Sequence, residues 1–303
     1  MMPPLRLGTR GSPLALAQAR MVATALRDAH GWGPELIEIV PITTTGDQIR
    51  DRPLAEVGGK GLWTRELDRA LIENRTDISV HSMKDVETVR PTEFTIGAML
   101  PRADVTDRLI GADSLLAVPN GARFGTSSPR RAAQLLARRP DLQIVTFRGN
   151  VETRLRKIAL GEADATLLAS AGLIRLGHAD VGTVLEDFLP APAQGAVGIE
   201  ARTNDKRVQH YLRPIDDHAT HACVAAERRL LEGLGGTCHS AVAALATLEG
   251  GQIRLRAEIL SPDGRDVEHV DTNFPAEDAA APHDIARQML ARAPASIRAL
   301  FAG

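Results

Sequence analysis

Two stretches of this chain are echoed later in it, in the same order, and that repetition limits the fold more than any single motif does. Gly8-Thr9-Arg10-Gly11-Ser12-Pro13 is answered by Gly125-Thr126-Ser127-Ser128-Pro129, and Asp77-Ile78-Ser79-Val80 by Asp164-Ala165-Thr166-Leu167. In the first pair a serine precedes a proline at the start of an apolar-periodic run. The serine oxygen accepts an otherwise orphaned N–H at the N-cap, and proline suits the first helical position because its missing N–H has no partner there anyway. The second pair reads as a strand. Strand, helix and strand, twice over, predicts two similar α/β lobes with a cleft between them.

The rest of the chain fits that frame. Residues 5–9, 35–42, 77–80, 123–126, 142–147 and 164–169 read as strands. Ile78 and Val80 alternate with small or polar residues, which predicts a half-buried strand. Helices are expected over 13–30, after a cap at Thr64, from Ser128-Pro129, and from a cap at Asn150 to Gly161. Pro190-Ala191-Pro192-Ala193 reads as a hinge, and 194–200 as a strand crossing back to the first lobe. A helix over 219–231, strands over 240–248, 252–260 and 265–270, and a helix over 279–301 suggest a small α+β domain. The expected division is 1–100, completed by about 194–216, then 101–193, then 217–303.

Composition excludes several functions. A formal net charge of -2 offers no global field for nucleic acid or an anionic membrane, and 3% aromatic residues leave little to stack on bases. No apolar run reaches the roughly 18 residues that span a bilayer, and residues 1–10 carry no signal-peptide pattern. With two cysteines, a reducing cytosol is expected and a structural disulfide is not.

The chemistry concentrates at strand ends. Lys84 and Asp85 follow the 77–80 strand directly, where ligands collect in open α/β sheets. Asp85 is the candidate for catalysis; the bland alternative is a solvated Lys and Asp. Arg130 and Arg131 occupy the first turn of a helix, where the macrodipole disfavours cations. An anion held by them, with Ser127, Ser128 and the free N–H groups, would resolve that conflict. With Arg10, Arg148, Arg154 and Arg175 they make six arginines at strand ends or helix starts, suited to several carboxylates and equally to phosphate. Cys223 reads as a buried small hydrophobe. Cys238, in Gly236-Thr237-Cys238-His239, sits in an open loop, where a reactive or covalently loaded thiol and an idle one both fit. No second Cys or His stands at zinc spacing. The loop over 43–61 ends in Gly58-Gly59-Lys60-Gly61, without P-loop spacing, and fits a lid or a plain linker.

Taken together, these residues resemble the porphobilinogen deaminase (hydroxymethylbilane synthase) family. The likeness is carried by Thr9-Arg10-Gly11-Ser12-Pro13-Leu14-Ala15, Val57-Gly58-Gly59-Lys60-Gly61-Leu62 and Val80-His81-Ser82-Met83-Lys84-Asp85. It continues through Gly125-Thr126-Ser127-Ser128 with Arg130-Arg131, Arg148-Gly149-Asn150-Val151, Gln194-Gly195-Ala196-Val197-Gly198-Ile199-Glu200 and Gly236-Thr237-Cys238. It implies two periplasmic-binding-protein-like lobes with a central cleft plus a small C-terminal α+β domain. It implies a dipyrromethane cofactor joined to Cys238 by a thioether, extended by four porphobilinogen units and released by water as linear hydroxymethylbilane. Asp85 would be catalytic; Lys84, Ser128, Arg130, Arg131, Arg148 and Arg154 would hold cofactor carboxylates. Arg10, Ser12 and Arg175 would bind substrate, and Lys60 would lie on a lid. A cytoplasmic monomer without metal, nucleic acid or membrane is expected.

Some positions depart from the family pattern. Glu56 replaces a lysine, Glu87 replaces a proline after Val86, Pro129 replaces a leucine, and His239-Ser240-Ala241 varies. Two competing functions remain: a non-catalytic two-lobed organic-anion-binding protein, and a thiol transferase using Cys238 with His239 as base.

Overall fold

The computed structural model describes residues 3–44, 64–237 and 239–301, so Glu56, Lys60 and Cys238 lie outside the described residues. The first half runs β1 (Leu5–Arg10), α1 (Pro13–His30), β2 (Ile37–Ile42), α2 (Arg65–Ile72), β3 (Ile78–Ser82), β4 (Phe94–Met99) and β5 (Asp107–Ile110). It continues with β6 (Arg123–Gly125), α3 (Pro129–Arg138), β7 (Gln143–Val145), α4 (Val151–Ala159), β8 (Ala165–Ala169), α5 (Ser170–Arg175) and β9 (Thr183–Leu185). Then come β10 (Val197–Arg202), α6 (Lys206–Leu212), α7 (His218–Gly233), β11 (Val242–Glu249), β12 (Gln252–Leu260), β13 (Val267–Pro275), α8 (Ala281–Arg292) and α9 (Ala295–Arg298).

The chain divides into two units, residues 1–102 with 196–221 and residues 103–195 with 222–303. The sheet of the first has strand order β2-β1-β3-β10-β4, and the larger sheet of the second β7-β6-β8-β5-β9. In each, two parallel neighbours flank the opening strand, and an antiparallel strand joins the third to an edge strand. Two α/β lobes of one design are therefore present, as the repeated motifs predict. The second unit also carries β11, β12 and β13 as an antiparallel sheet, with its own core of Leu230, Leu255, Ile259, Phe274 and Met289.

The start signals work as their chemistry dictates. Ser12 Oγ accepts the Ala15 N–H at 3.3 Å, Ser128 Oγ the Arg131 N–H at 3.4 Å and Asn150 Oδ1 the Thr153 N–H at 2.9 Å. Thr64 behaves otherwise. It precedes α2, but its hydroxyl donates to Glu87 at 2.8 Å and caps nothing. The strand after Asp77 is not half-buried: Ile78 to His81 are all buried, because β1 and β10 flank it and α1 and α2 pack on it. β2 begins only at Ile37, since Pro34–Leu36 forms a 3-10 turn, and the last helix is split by Pro294, which has no N–H to continue it. Among the described residues no helix is long and apolar enough to cross a membrane.

The proline-rich hinge is held by a buried acid. Ala193 has φ 63°, a left-handed conformation that costs a residue with a Cβ about 1–2 kcal/mol. Glu227, wholly buried on α7, accepts the Ala193 N–H at 2.6 Å through one oxygen and the Ala246 N–H of β11 at 2.7 Å through the other. Replacing Glu227 by Ala orphans both donors, so stability should fall by about 2–5 kcal/mol, with Glu227→Gln losing less. Urea unfolding measures this, and a loss below about 1 kcal/mol for the alanine variant would refute the tie.

Candidate active site

In the first unit, β3 runs straight into a 3-10 turn, Met83–Asp85. Met83 anchors the turn. It is fully buried, and its N–H donates to Ala196 O at 3.1 Å. Its sulfur occupies the space over Gly198 on β10, where an added Cβ would lie only 2.1 Å from Sδ. With Met83 drawn inward, Lys84 and Asp85 are left half-buried. Asp85 lines a recess with Arg10 from the end of β1, Ser12 from the cap of α1, and Gln18, Thr64, His81, Ser82 and Val86. The Gln18 amide and the Ser82 hydroxyl meet at 2.7 Å. Three of the expected residues, Arg10, Ser12 and Asp85, are thus brought together; Lys84 is adjacent in the turn but not in the lining.

Behind the recess lies a charge cluster that the sequence reading did not find. Arg90, 10% exposed, donates Nε to Glu200 at 2.8 Å, one terminal nitrogen to Glu87 at 2.8 Å and Thr64 at 3.2 Å, and the other to Asp68 at 2.5 Å. Glu200 is fully buried on β10 and also meets His81 at 3.2 Å. Burial alone would raise the Glu200 pKa, but hydrogen bonds and charge from His81 and Arg90 outweigh it and hold it at about 2. For Asp68 burial prevails over Arg90 and pushes the carboxyl up. The available signal was a glutamate inside an otherwise apolar strand, since such an acid must find a partner.

In the second unit the arginines are positioned differently from the expectation. The anion joining Arg130 and Arg131 is internal: Asp107, 1% exposed at the start of β5. Arg131 grips it with two bonds, 2.7 and 3.1 Å, and Arg130 with one of 2.8 Å. Gln194 from the hinge adds a fourth at 2.9 Å. Burial would raise the Asp107 pKa, but the charges of the two arginines hold it far below the usual carboxylate range. Arg130 also donates to Gln134 and Leu189 O, and Arg131 to Leu167 O. The dipole conflict at this first turn is therefore answered within the chain. Ser127 turns its hydroxyl to Phe147 O at 2.8 Å.

The remaining arginines are placed by backbone. Gly125 leaves room for the Phe147 ring, which would sit 2.5 Å from a Cβ there, and Arg148 follows immediately. Arg154 donates to Gly149 O at 3.0 Å. Arg175 ends the six-residue helix α5 and does not follow its strand directly; it donates to Gly195 O at 2.8 Å. Burial lowers its pKa. The Nε atoms of Arg130 and Arg175 are both buried without an acceptor. Among the described residues no group of three or more His, Cys, Asp or Glu is placed to hold a metal ion.

Residues 5–210 match the family described as porphobilinogen deaminase, dipyromethane cofactor binding domain, and residues 221–291 match porphobilinogen deaminase, C-terminal domain. A porphobilinogen deaminase of Sphingopyxis alaskensis is 56% identical, over 99% of this chain and 97% of its own. One from Paracoccus denitrificans is 50% identical, over 96% and 95%. The periplasmic VFT2 domain of Bordetella pertussis BvgS is similar at a TM-score of 0.40 and 15% identity, over 70% of this chain and 86% of that domain.

Removing the internal anion should expose its worth. Asp107→Asn leaves two buried guanidinium groups against a neutral amide, and stability should drop by about 3–5 kcal/mol at neutral pH. Because the folded carboxyl titrates below its ordinary 3.8, its contribution is present above that value and is lost as pH falls beneath it. The gap between wild type and variant should therefore narrow below about pH 4. Denaturant titrations at pH 7 and pH 2.5 test this, where the gap should narrow by about 2 kcal/mol, and an equal gap at both would contradict the assignment.

Proposed function

The chain belongs to the porphobilinogen deaminase family, and from that membership we propose how its residues divide the work of the family's reaction. It is a transferase that deaminates four porphobilinogen molecules, condenses them head to tail on a dipyrromethane primer and releases linear hydroxymethylbilane with water. Each addition breaks a C–N bond, expels ammonia, forms a C–C bond and removes a proton from a pyrrole carbon. When bound, the dipyrromethane supplies the pyrrole carbon that accepts the first unit.

Asp85 is the catalytic residue in this reading. The observation that carries it is position: among the described residues lining the recess with Arg10 and Ser12, Asp85 is the only carboxylate. A fixed negative charge there stabilises the cation that develops as ammonia leaves, and can hold the pyrrole N–H groups of the reacting rings. Arg10 and Ser12 bind incoming substrate carboxylates, with Ser12 also capping α1. Arg175 shares that role.

Cys238 forms the thioether, and Lys84, Ser128, Arg130, Arg131, Arg148 and Arg154 take cofactor carboxylates. The residues present suit such a group. Every pyrrole brings an acetate and a propionate, and Arg130 and Arg175 each keep a buried Nε–H without an acceptor among the described residues. Lys60, outside the described residues, takes the lid role that the family likeness assigns to it. The working division is 1–100 with about 194–216, 101–193, and 217–303 as the domain carrying the thiol. The protein acts as a cytoplasmic monomer, with no membrane or nucleic-acid partner.

Intact mass tests the attachment first. Wild type should exceed its sequence mass by two linked pyrrole units and Cys238→Ser should not. A bare wild type whose mass stays fixed after incubation with porphobilinogen would sink the reading. Asp85→Asn should keep the added mass yet lose nearly all turnover, by at least about 100-fold on removal of a charge that acts in the transition state. Retained turnover would remove Asp85 from its role, whereas a loaded but inert wild type would favour a plain anion binder.

A further inference from the structure

We propose that Arg90 is a positioning residue for this reaction, holding the Asp85 turn in register with β10. The inference rests on the reading of Asp85 as catalytic and adds a residue that no motif of the chain picks out. Asp85 lies between two anchors. On one side Met83 is buried over Gly198. On the other, Glu87 is drawn by Arg90, which is fixed in turn by Glu200. Gly198 and Glu200 both belong to β10, so the turn is pinned twice to one strand.

A purely structural role would need less. One guanidinium here meets three carboxylates, Asp68, Glu87 and Glu200, although one suffices to neutralise it, and burial penalises the extra acids. Two residues bonded into this cluster reach the recess. Thr64 accepts from Arg90 and donates to Glu87, His81 meets Glu200, and both Thr64 and His81 line the recess with Asp85. Glu87 stands where the family pattern has proline, a residue that stiffens backbone by itself. In this chain the ion pair takes over the stiffening.

The test is steady-state kinetics on the cofactor-loaded enzyme, with intact mass taken for every variant. Arg90→Leu should lower kcat between about tenfold and a hundredfold, the range expected when a catalytic group shifts by about 1 Å, with KM changed less than about twofold. Loading should be unchanged. Arg90→Lys should recover part of the loss, since an ammonium keeps the charge but not the forked bonds. Glu87→Gln, an isosteric change on a side chain still 23% exposed, keeps the fold and should lower kcat about threefold; in the Arg90→Leu background it should add little, because contacting residues couple. Wild-type kcat in a loaded Arg90→Leu or Glu87→Gln overturns the proposal. So do parallel losses of kcat, loading and thermal stability in Arg90→Leu that leave Glu87→Gln untouched. Asp85→Asn run alongside keeps the two readings apart. If it turns over normally, the role of Asp85 has failed; if it is inert while Arg90→Leu is normal, only the positioning role has.

Discussion

A carboxylate buried on the antiparallel strand of each lobe is the constraint from which the rest of the site follows. Asp107 stands on β5 and gathers Arg130 and Arg131, and Glu200 stands on β10 and gathers Arg90. Such an acid is expensive to desolvate and stays ionised only if cations reach it with good geometry. Once it is there, the arginines have little choice of position. Asp107 fixes Arg130 and Arg131 at the head of α3 against the helix dipole. Glu200 fixes Arg90, and through it the segment that follows Asp85. The two lobes repeat a strand order and also an electrostatic device.

Glycine and proline do the complementary backbone work. Gly198 admits the Met83 sulfur and Gly125 admits the Phe147 ring, so in each lobe an absent Cβ lets an apolar anchor sit beside a candidate site residue, Lys84 or Arg148. The anchors are dry and close-packed, and the residues next to them are therefore held at fixed angles without long side chains having to order themselves. This is pre-organisation by packing, and it leaves the polar groups disposed for chemistry.

Much of this could be read from the sequence, and the failures are informative. Ser12-Pro13 and Ser128-Pro129 specified their helices because capping is a local matter of one oxygen and one N–H. The residues that meet in the recess were within reach because Arg10, Ser12 and Asp85 all stand at strand ends. What escaped was non-local. Arg130 and Arg131 lacked an anion only as long as Asp107, more than twenty positions away, was read as part of an unremarked stretch. Thr64 reads as a cap because nothing in its sequence neighbourhood announces Arg90 and Glu87. The alternation at 77–80 predicts a half-buried strand because it conceals a neighbour, β10, over a hundred residues further on. Lys60, Glu56 and Cys238 fall outside the described residues, and their roles rest on the family.

That late neighbour has a consequence for how the protein is made. The first sheet has β1, β2, β3 and β4 once Met99 has left the ribosome, but β10, which fits between β3 and β4, ends at Arg202. At roughly 5–20 residues per second, translation needs on the order of 5–20 s to cover that interval. Throughout it β3, which is buried from Ile78 to His81 in the finished sheet, presents a bare edge, the kind of surface that pairs with the wrong chain. The nascent polypeptide must wait with an unfinished sheet while an entire second lobe is synthesised, so the burden on chaperones falls on the half that emerges first.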